Sequence, residues 1–233
     1  MTLNMLIGIL EQGLIYGIMA MGLLITYRIL DFPDLTADTS FPPRAAVSAT
    51  LTLQGVAPWL TLLIGCAAGG IAGLITGLIH VKCRVRDLLS GIITMTGLYS
   101  INLHIAQNKA NLPLFGGDTL FRNAFTKSLP KAISPYTTLI IIFLIALIAK
   151  ILLDLFLRTK CGYLLRAAGD NPSVVTTLSR DQGTVKILGL IIANALVALA
   201  GAVMCPQQRF FATSMGPRTM VAAPASVIIA PHL

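Results

Sequence analysis

The run ISPYTTLIIIFLIALIAKILLDLFL (133–157), then RTKCGYLLRAAGDNPSVVTTLSRDQGT (158–184), then VKILGLIIANALVALAGAVMC (185–205), decides how this chain folds. Each outer stretch is apolar over the length a helix needs to cross a hydrocarbon core ~30 Å thick, about 20 residues at about 1.5 Å each. Between them lies a polar, helix-compatible segment, 158–186. So long a water-compatible stretch between two spans has little physical reason unless something in the water layer docks on it.

Working outward, the same length criterion selects 3–27 and 59–81 as spans. At 233 residues, 55% of them hydrophobic and 11% charged, with a mean hydropathy of +0.82, the chain has too few charges to cover a soluble globule. It reads as one all-α transmembrane domain, a polytopic helix bundle. The net charge of +8 comes from 17 basic residues scattered between the apolar runs and not gathered into one patch, which excludes a nucleic-acid surface and fits membrane topology. The first apolar run has no basic leader and no small-residue cleavage site, so it reads as a retained span and not a signal peptide.

A fifth candidate span, 88–105, carries Ser90, Thr94, Thr96, Ser100 and Asn102, which suits a helix buried among other helices more than one facing lipid. Residues 31–56 differ again. Their apolar part, 45–56, would reach only about 18 Å as a helix. The preceding stretch holds Asp31, Asp34 and Asp38 together with Pro33, Pro42 and Pro43. A carboxylate at mid-membrane costs about 2.5 to 3.5 kcal/mol on insertion scales, so this segment should be shielded by protein or line a water-filled path. The expectation is a broken helix at a transport pathway; an ordinary loop followed by a short interfacial helix is the alternative.

Basic residues set the orientation. Lys82, Arg84 and Arg86 crowd one connection and Arg158, Lys160 and Arg166 another, placing both in the cytoplasm, 106–132 and the N-terminus outside. Gly65, Gly69, Gly73 and Gly77 form a four-residue ladder on one helix stripe, where another backbone can approach closely. Lys150 and Asp154, at i and i+4, can pair on one face. The order of long span, polar break (209–216) and short apolar half (220–230) repeats that of 3–56 in the opposite membrane direction, a pattern of inverted repeats.

Within the polar segment, 162–168 has helix formers and Gly169 can end or bend the helix. Asp170 or Asn171 can cap a new one and Pro172 suits its first turn, so a second short helix should run over 173–178. A merely solvated helix-turn-helix connection would look the same. Cys66, Cys83, Cys161 and Cys205 are widely spaced with no histidine at ligand spacing, which points to no zinc or redox site. His80, His104 and His232 have no partner that sequence assigns. No metal site and no catalytic residue is expected.

Three stretches together, LRAAGDNP (165–172), DFPDLT (31–36) and DLLSGIITMT (87–96), resemble the permease subunit of bacterial ABC importers of the branched-chain amino acid and ribose type, nearest to single-permease systems for aromatic amino acids or similar solutes. The resemblance covers residues 5 to about 230. It implies that 162–178 is the coupling helix docking into a cleft of the ATPase subunit, with Gly162, Arg166, Gly169, Asp170, Asn171, Pro172 and Ser173 as its coupling residues. It implies that 31–40 lies at a broken second helix near the translocation path, with Asp31, Phe32, Asp34, Thr36, Asp38 and Ser40 lining it; Asn194, near the middle of 185–205, is counted with them. The partners implied are an ABC ATPase, an extracytoplasmic substrate-binding protein and a second permease copy, in the bacterial inner membrane. ATP belongs to the partner, and no cofactor is expected on this chain, which has no G-x-x-x-x-G-K-[ST]. Pro43-Arg44 and the crowding of Pro206, Pro217, Arg218, Pro224 and Pro231 depart from the family pattern. Family members also continue for further spans beyond Leu233, so the second half reads as incomplete.

Two other function classes stand beside this one. An ion-coupled secondary transporter or channel would use Asp31, Asp34, Asp38 or the Lys150 and Asp154 pair. An intramembrane enzyme would need H-E-x-x-H or a paired nucleophile and base, and the sequence has neither.

Overall fold

A computed structural model describes residues 2–32, 57–105, 111–113, 121, 136–170, 181–208 and 210–212. The half-helix expected at 45–56, the short helix at 173–178 and the tail at 220–230 lie outside the described residues. Helices account for nearly everything else: α1 (Thr2–Leu24), running into a π-helical turn (Ile25–Ile29), then α2 (Pro58–Lys82), α3 (Asp87–Ile105), α4 (Thr137–Leu157), α5 (Lys160–Asp170) and α6 (Gln182–Gln208). Four of them, with α1 extended through the π turn, are long and apolar enough to cross a membrane. In lipid each backbone N–H and C=O must be satisfied within its own segment, which is why uninterrupted Leu, Ile, Ala and Gly runs become helices here.

The organising element is α6. Of its most apolar window 61% is buried, against 28%, 33% and 22% for α1, α2 and α4. Both α1 and α2 run antiparallel to it. Along α2 the register is read from the glycines: a methyl on Gly65 would sit 3.2 Å from Ala202 Cβ, one on Gly77 2.9 Å from Ile187 Cγ1, and one on Gly73 would run into the Leu190 carbonyl. Gly69 is buried on the same stripe. On the other side, a methyl on Gly22 of α1 would lie 2.7 Å from the Ala193 carbonyl oxygen and 2.8 Å from Val197 Cγ2. Helices in a bilayer gain little from hiding apolar surface from lipid tails, so close van der Waals approach at small residues has to hold them together.

Two apolar clusters follow. One, with Ile15, Ile18, Met19, Leu23, Ile142, Val197 and Val203, joins α1, α4 and α6 in mid-bundle. The other, with Ile25, Leu30, Phe32, Leu153, Leu165 and Leu190, closes the end where α5 lies. That end also collects Arg28, Lys82, Arg84, Arg86, Arg158, Lys160, Arg166 and Lys186, so the two basic connections singled out in the sequence meet on one side of the bundle.

Three details differ from the sequence reading. In α3, Ser90 and Thr94 are buried, but Leu88, Leu89, Ile92, Ile93, Tyr99 and Ile101 are exposed, and α3 packs chiefly on α2. Its hydroxyls are satisfied by its own backbone, Ser90 donating to the Asp87 carbonyl (2.7 Å) and Thr94 to that of Ser90 (2.9 Å), so polar residues here do not require a buried helix. Lys150 and Asp154 are both exposed and form no ion pair; two solvated or snorkelling side chains gain little from an i,i+4 contact. Finally, β1 (Asn111–Pro113) and β2 (Phe210–Ala212) form a three-residue antiparallel pair, Leu112 opposite Phe211, joining two stretches read as separate polar connections.

Replacing Gly73 by Leu should drive α2 off α6 and lower stability by about 1 to 3 kcal/mol or more, read as a lower thermal midpoint in detergent. Gly97→Leu, where nothing lies within 4 Å of an added Cβ, should leave the midpoint unchanged. Equal shifts in the two variants would mean that the glycine seam does not hold the pair.

Candidate functional site

At the cationic end α5 rests on the end of α1. A methyl on Gly169 would overlap the Ile29 carbonyl oxygen, and one on Gly162 would lie 2.5 Å from Leu157 Cα. Both glycines therefore sit where only a hydrogen fits, one against the π turn and one against the end of α4. Leu165 and Leu30 meet over Gly189 of α6, whose added methyl would be 2.6 Å from Leu165 Cδ1 and 2.8 Å from Leu30 Cδ1. Arg166 is exposed on the outer face of α5. The corner from α4 into α5 is tied by Thr159, whose hydroxyl donates to the Phe156 carbonyl at 2.6 Å. The helix is described to Asp170, one residue past Gly169, and the bend or restart expected after it lies outside the described residues.

From this contact the chain leads straight to the segment expected to line the path. The Leu30 N–H donates to the Ile25 carbonyl and the Phe32 N–H to that of Thr26, both at 2.9 Å. Asp31 then turns at a φ of 50°, a left-handed conformation that aspartate tolerates better than most side chains. Asp31 is exposed, while Phe32 is 1% exposed. Its ring meets that of His80 edge-on, centroids 5.2 Å apart at 84°. His80 Nδ1 lies 2.9 Å from the Val85 carbonyl and 3.0 Å from Asp87 Oδ1. Both of those atoms accept, so Nδ1 carries the proton and donates to them. Phe32 is thus packed on the last turn of α2, whose His80 is tied to Val85 and to Asp87, the first residue of α3 and of the third motif.

The first residues of α6 are fixed by Asp181. Its carboxylate accepts from the Thr184 hydroxyl at 2.9 Å and from the Gly183 N–H at 3.2 Å. The Thr184 hydroxyl chiefly, and then the Gly183 N–H, hold its pKa below the usual carboxylate range. A lowered pKa means that this cap is at full strength above that range and is lost only as pH falls through the lowered value.

The opposite end holds a polar group that sequence reasoning missed. Glu11, the chain's only glutamate, is 9% exposed inside α1, and Gln207 Nε2 donates to its Oε2 at 3.1 Å. Gln207 Oε1 is buried with no partner among the described residues. Beside it Pro206 lies within α6 and supplies no N–H to the Ala202 carbonyl one turn back. Two side-chain acceptors thus stand together, and among the described residues one of them, Gln207 Oε1, has no donor. The signal was legible, since a lone carboxylate in an apolar run is costly unless it is used.

The remaining expected residues divide between seam and undescribed chain. Asn194 is fully buried in the contact of α2 with α6, donating to the Leu190 carbonyl at 3.1 Å. Asp34, Thr36, Asp38, Ser40, Asn171, Pro172 and Ser173 lie outside the described residues, as does the side chain of Asp170. Among the described residues no cluster of His, Cys, Asp or Glu could hold a metal ion.

Residues 5–231 match the family described as branched-chain amino acid transport system / permease component. The chain is 42% identical over 224 residues to the tyrosine transport system permease protein of Clostridioides difficile, covering 96% of this chain and 72% of that one. It is 31% identical over 227 residues to an uncharacterized protein of Rickettsia prowazekii, covering 97% and 77%. With the probable branched-chain amino acid transport permease protein LivH of Methanocaldococcus jannaschii it shares 28% identity over 207 residues, covering 84% and 65%. No solved structure matches.

Gly169→Val should lift α5 from the π turn. The amides of Leu30 and Phe32 should then exchange hydrogen about tenfold faster, as ~1.4 kcal/mol of overpacking implies, with Gly17→Val, in open space, as the control. Unchanged exchange at those two amides would show that α5 does not brace the turn.

Proposed function

The chain belongs to the permease family of branched-chain amino acid transport systems, and on that premise we propose how its parts divide the work of an ABC importer. The chain is a multi-pass membrane transport subunit for amino acids and not an enzyme; an ATPase subunit and a substrate-binding protein complete such a system. In our reading, α5 and the residues after it receive the push of the ATPase. The substrate is an aromatic amino acid such as tyrosine, by likeness to the Clostridioides relative. The cationic end faces the cytoplasm and the N-terminus lies outside the bacterial inner membrane, as an excess of Lys and Arg at one end suggests. Two copies pair to enclose one pathway.

The observation that carries the coupling role is the seat of Gly169 on the Ile29 carbonyl. A helix that touches a soluble partner on one face and the backbone of the first span on the other can pass on a displacement with no slack, because packed interiors respond as rigid bodies. The residues moved are Leu30, Asp31 and Phe32, the entry to the polar segment proposed as the path. At the other end, the Glu11 carboxylate and the Gln207 oxygen, which has no donor among the described residues, suit the ammonium group of an arriving amino acid.

In proteoliposomes with the ATPase and binding protein, replacing residues 169–173 by a neutral linker should abolish ATPase co-purification and reduce uptake to background. A complex that survives the replacement overturns the coupling assignment. Glu11→Gln should leave the complex intact yet lower uptake about tenfold, as loss of one charge-assisted hydrogen bond implies. Wild-type uptake in that variant would remove Glu11 from the path.

A further inference from the structure

The connection between α2 and α3 and the start of α6 form an open recess of about 430 Å³ at the cationic end, a size typical of small-ligand sites. Arg84, Arg86 and Lys186 line it, and no ion pair among the described residues neutralises any of them. The one carboxylate in the lining, Asp87, is already engaged by His80 at 3.0 Å. Three cations therefore face a pocket whose single anion is taken.

The walls are set before any ligand arrives. His80 Nδ1 holds Val85 and Asp87, the Arg84 backbone is turned at a φ of 54°, and Asp181 fixes Gly183 at the start of α6. Directly beside the cavity, the first two turns of α3 expose Leu88, Leu89 and Ile92 at 48%, 50% and 38%. A cationic recess bounded by Asp87, the first residue of a helix that exposes apolar side chains in its next turns, matches an amphiphile with a phosphate head and hydrocarbon tails. A free anion would have no use for the leucines.

We propose that this cavity binds the phosphate headgroup of an anionic phospholipid, with the acyl chains lying along the exposed face of α3. Basic pockets between membrane helices on the cytoplasmic side are suited to such headgroups, each Lys or Arg near an anionic surface adding about 1 kcal/mol, or about fivefold in affinity. No residue lining the cavity lies on α5, so loss of the lipid can be read apart from loss of the ATPase subunit. Its effect would be to pin the connection between α2 and α3, and through His80 the ring of Phe32, at the membrane surface.

The test is native mass spectrometry of the purified permease titrated with phosphatidylglycerol or phosphatidylcholine, on wild type and on Arg84→Gln/Arg86→Gln/Lys186→Gln. Wild type should retain one phosphatidylglycerol per chain in preference to phosphatidylcholine, and the triple variant should lose it by at least tenfold. Arg84→Lys/Arg86→Lys, which keeps the charges, should retain it and serves as the check on folding. Equal retention of the two lipids, or undiminished retention by the triple variant, overturns the proposal. So does protection against thermal unfolding by millimolar inorganic phosphate as complete as that by phosphatidylglycerol, which would assign the pocket to a free anion. Loss of the ATPase subunit from the triple variant with lipid retention unchanged would reassign it to a protein contact and equally overturn it.

Discussion

Everything in this bundle depends on how closely other backbones can come to α6. The contact is made through glycine on three sides: Gly73 and Gly77 of α2 against Leu190 and Ile187, Gly22 of α1 against Ala193 and Val197, and Gly189 of α6 itself beneath Leu30 and Leu165. Dispersion attraction falls off steeply with separation, so a bundle that cannot draw on the hydrophobic effect between its helices relies on having no side chain in the way. The same closeness makes the assembly stiff. A displacement at α5 has little free volume to dissipate into before it reaches the end of α1.

The two ends of the bundle are chemically unlike. One is ringed with cations and carries the α5 seat, the His80 clasp and the capped start of α6. The other, among the described residues, is marked by Glu11 and by the unmatched Oε1 of Gln207. An amino acid carries an ammonium and a carboxylate, and a pathway for it has to offer each of them something at some stage. Acceptors at one end and cations at the other give the bundle a chemical polarity along its axis.

How much of this was written in the sequence varies by element. The spans were legible because length and apolarity are what a bilayer demands, and their edges moved by only a few residues. Pro206, which lies just beyond the span read as 185–205, falls within the last turn of α6, where it leaves out the bond to the Ala202 carbonyl. The ladder from Gly65 to Gly77 announced a close neighbour but not its identity; that α6 fills the role follows from three-dimensional packing no periodicity encodes. The polar stripe on α3 misled because Ser and Thr can serve their own helix as readily as a neighbouring one. The π turn over ITYRI has no composition of its own, and a β pair of three residues is too short to leave a pattern. Of the site, the glycines of α5 and the motif around Phe32 stood out, whereas His80 was seen without its partners and Glu11 was overlooked among its apolar neighbours.

The π turn at the end of α1 carries further meaning. A π turn holds one residue more than an α turn over the same rise, so the chain beyond Ile29 is offset by about 100° from the direction an unbroken helix would give it. Two residues on, Asp31 turns the chain again at a φ of 50°, and Phe32 meets His80. The first span thus ends in a rotation of its own backbone, made at the point where Gly169 of α5 packs against it.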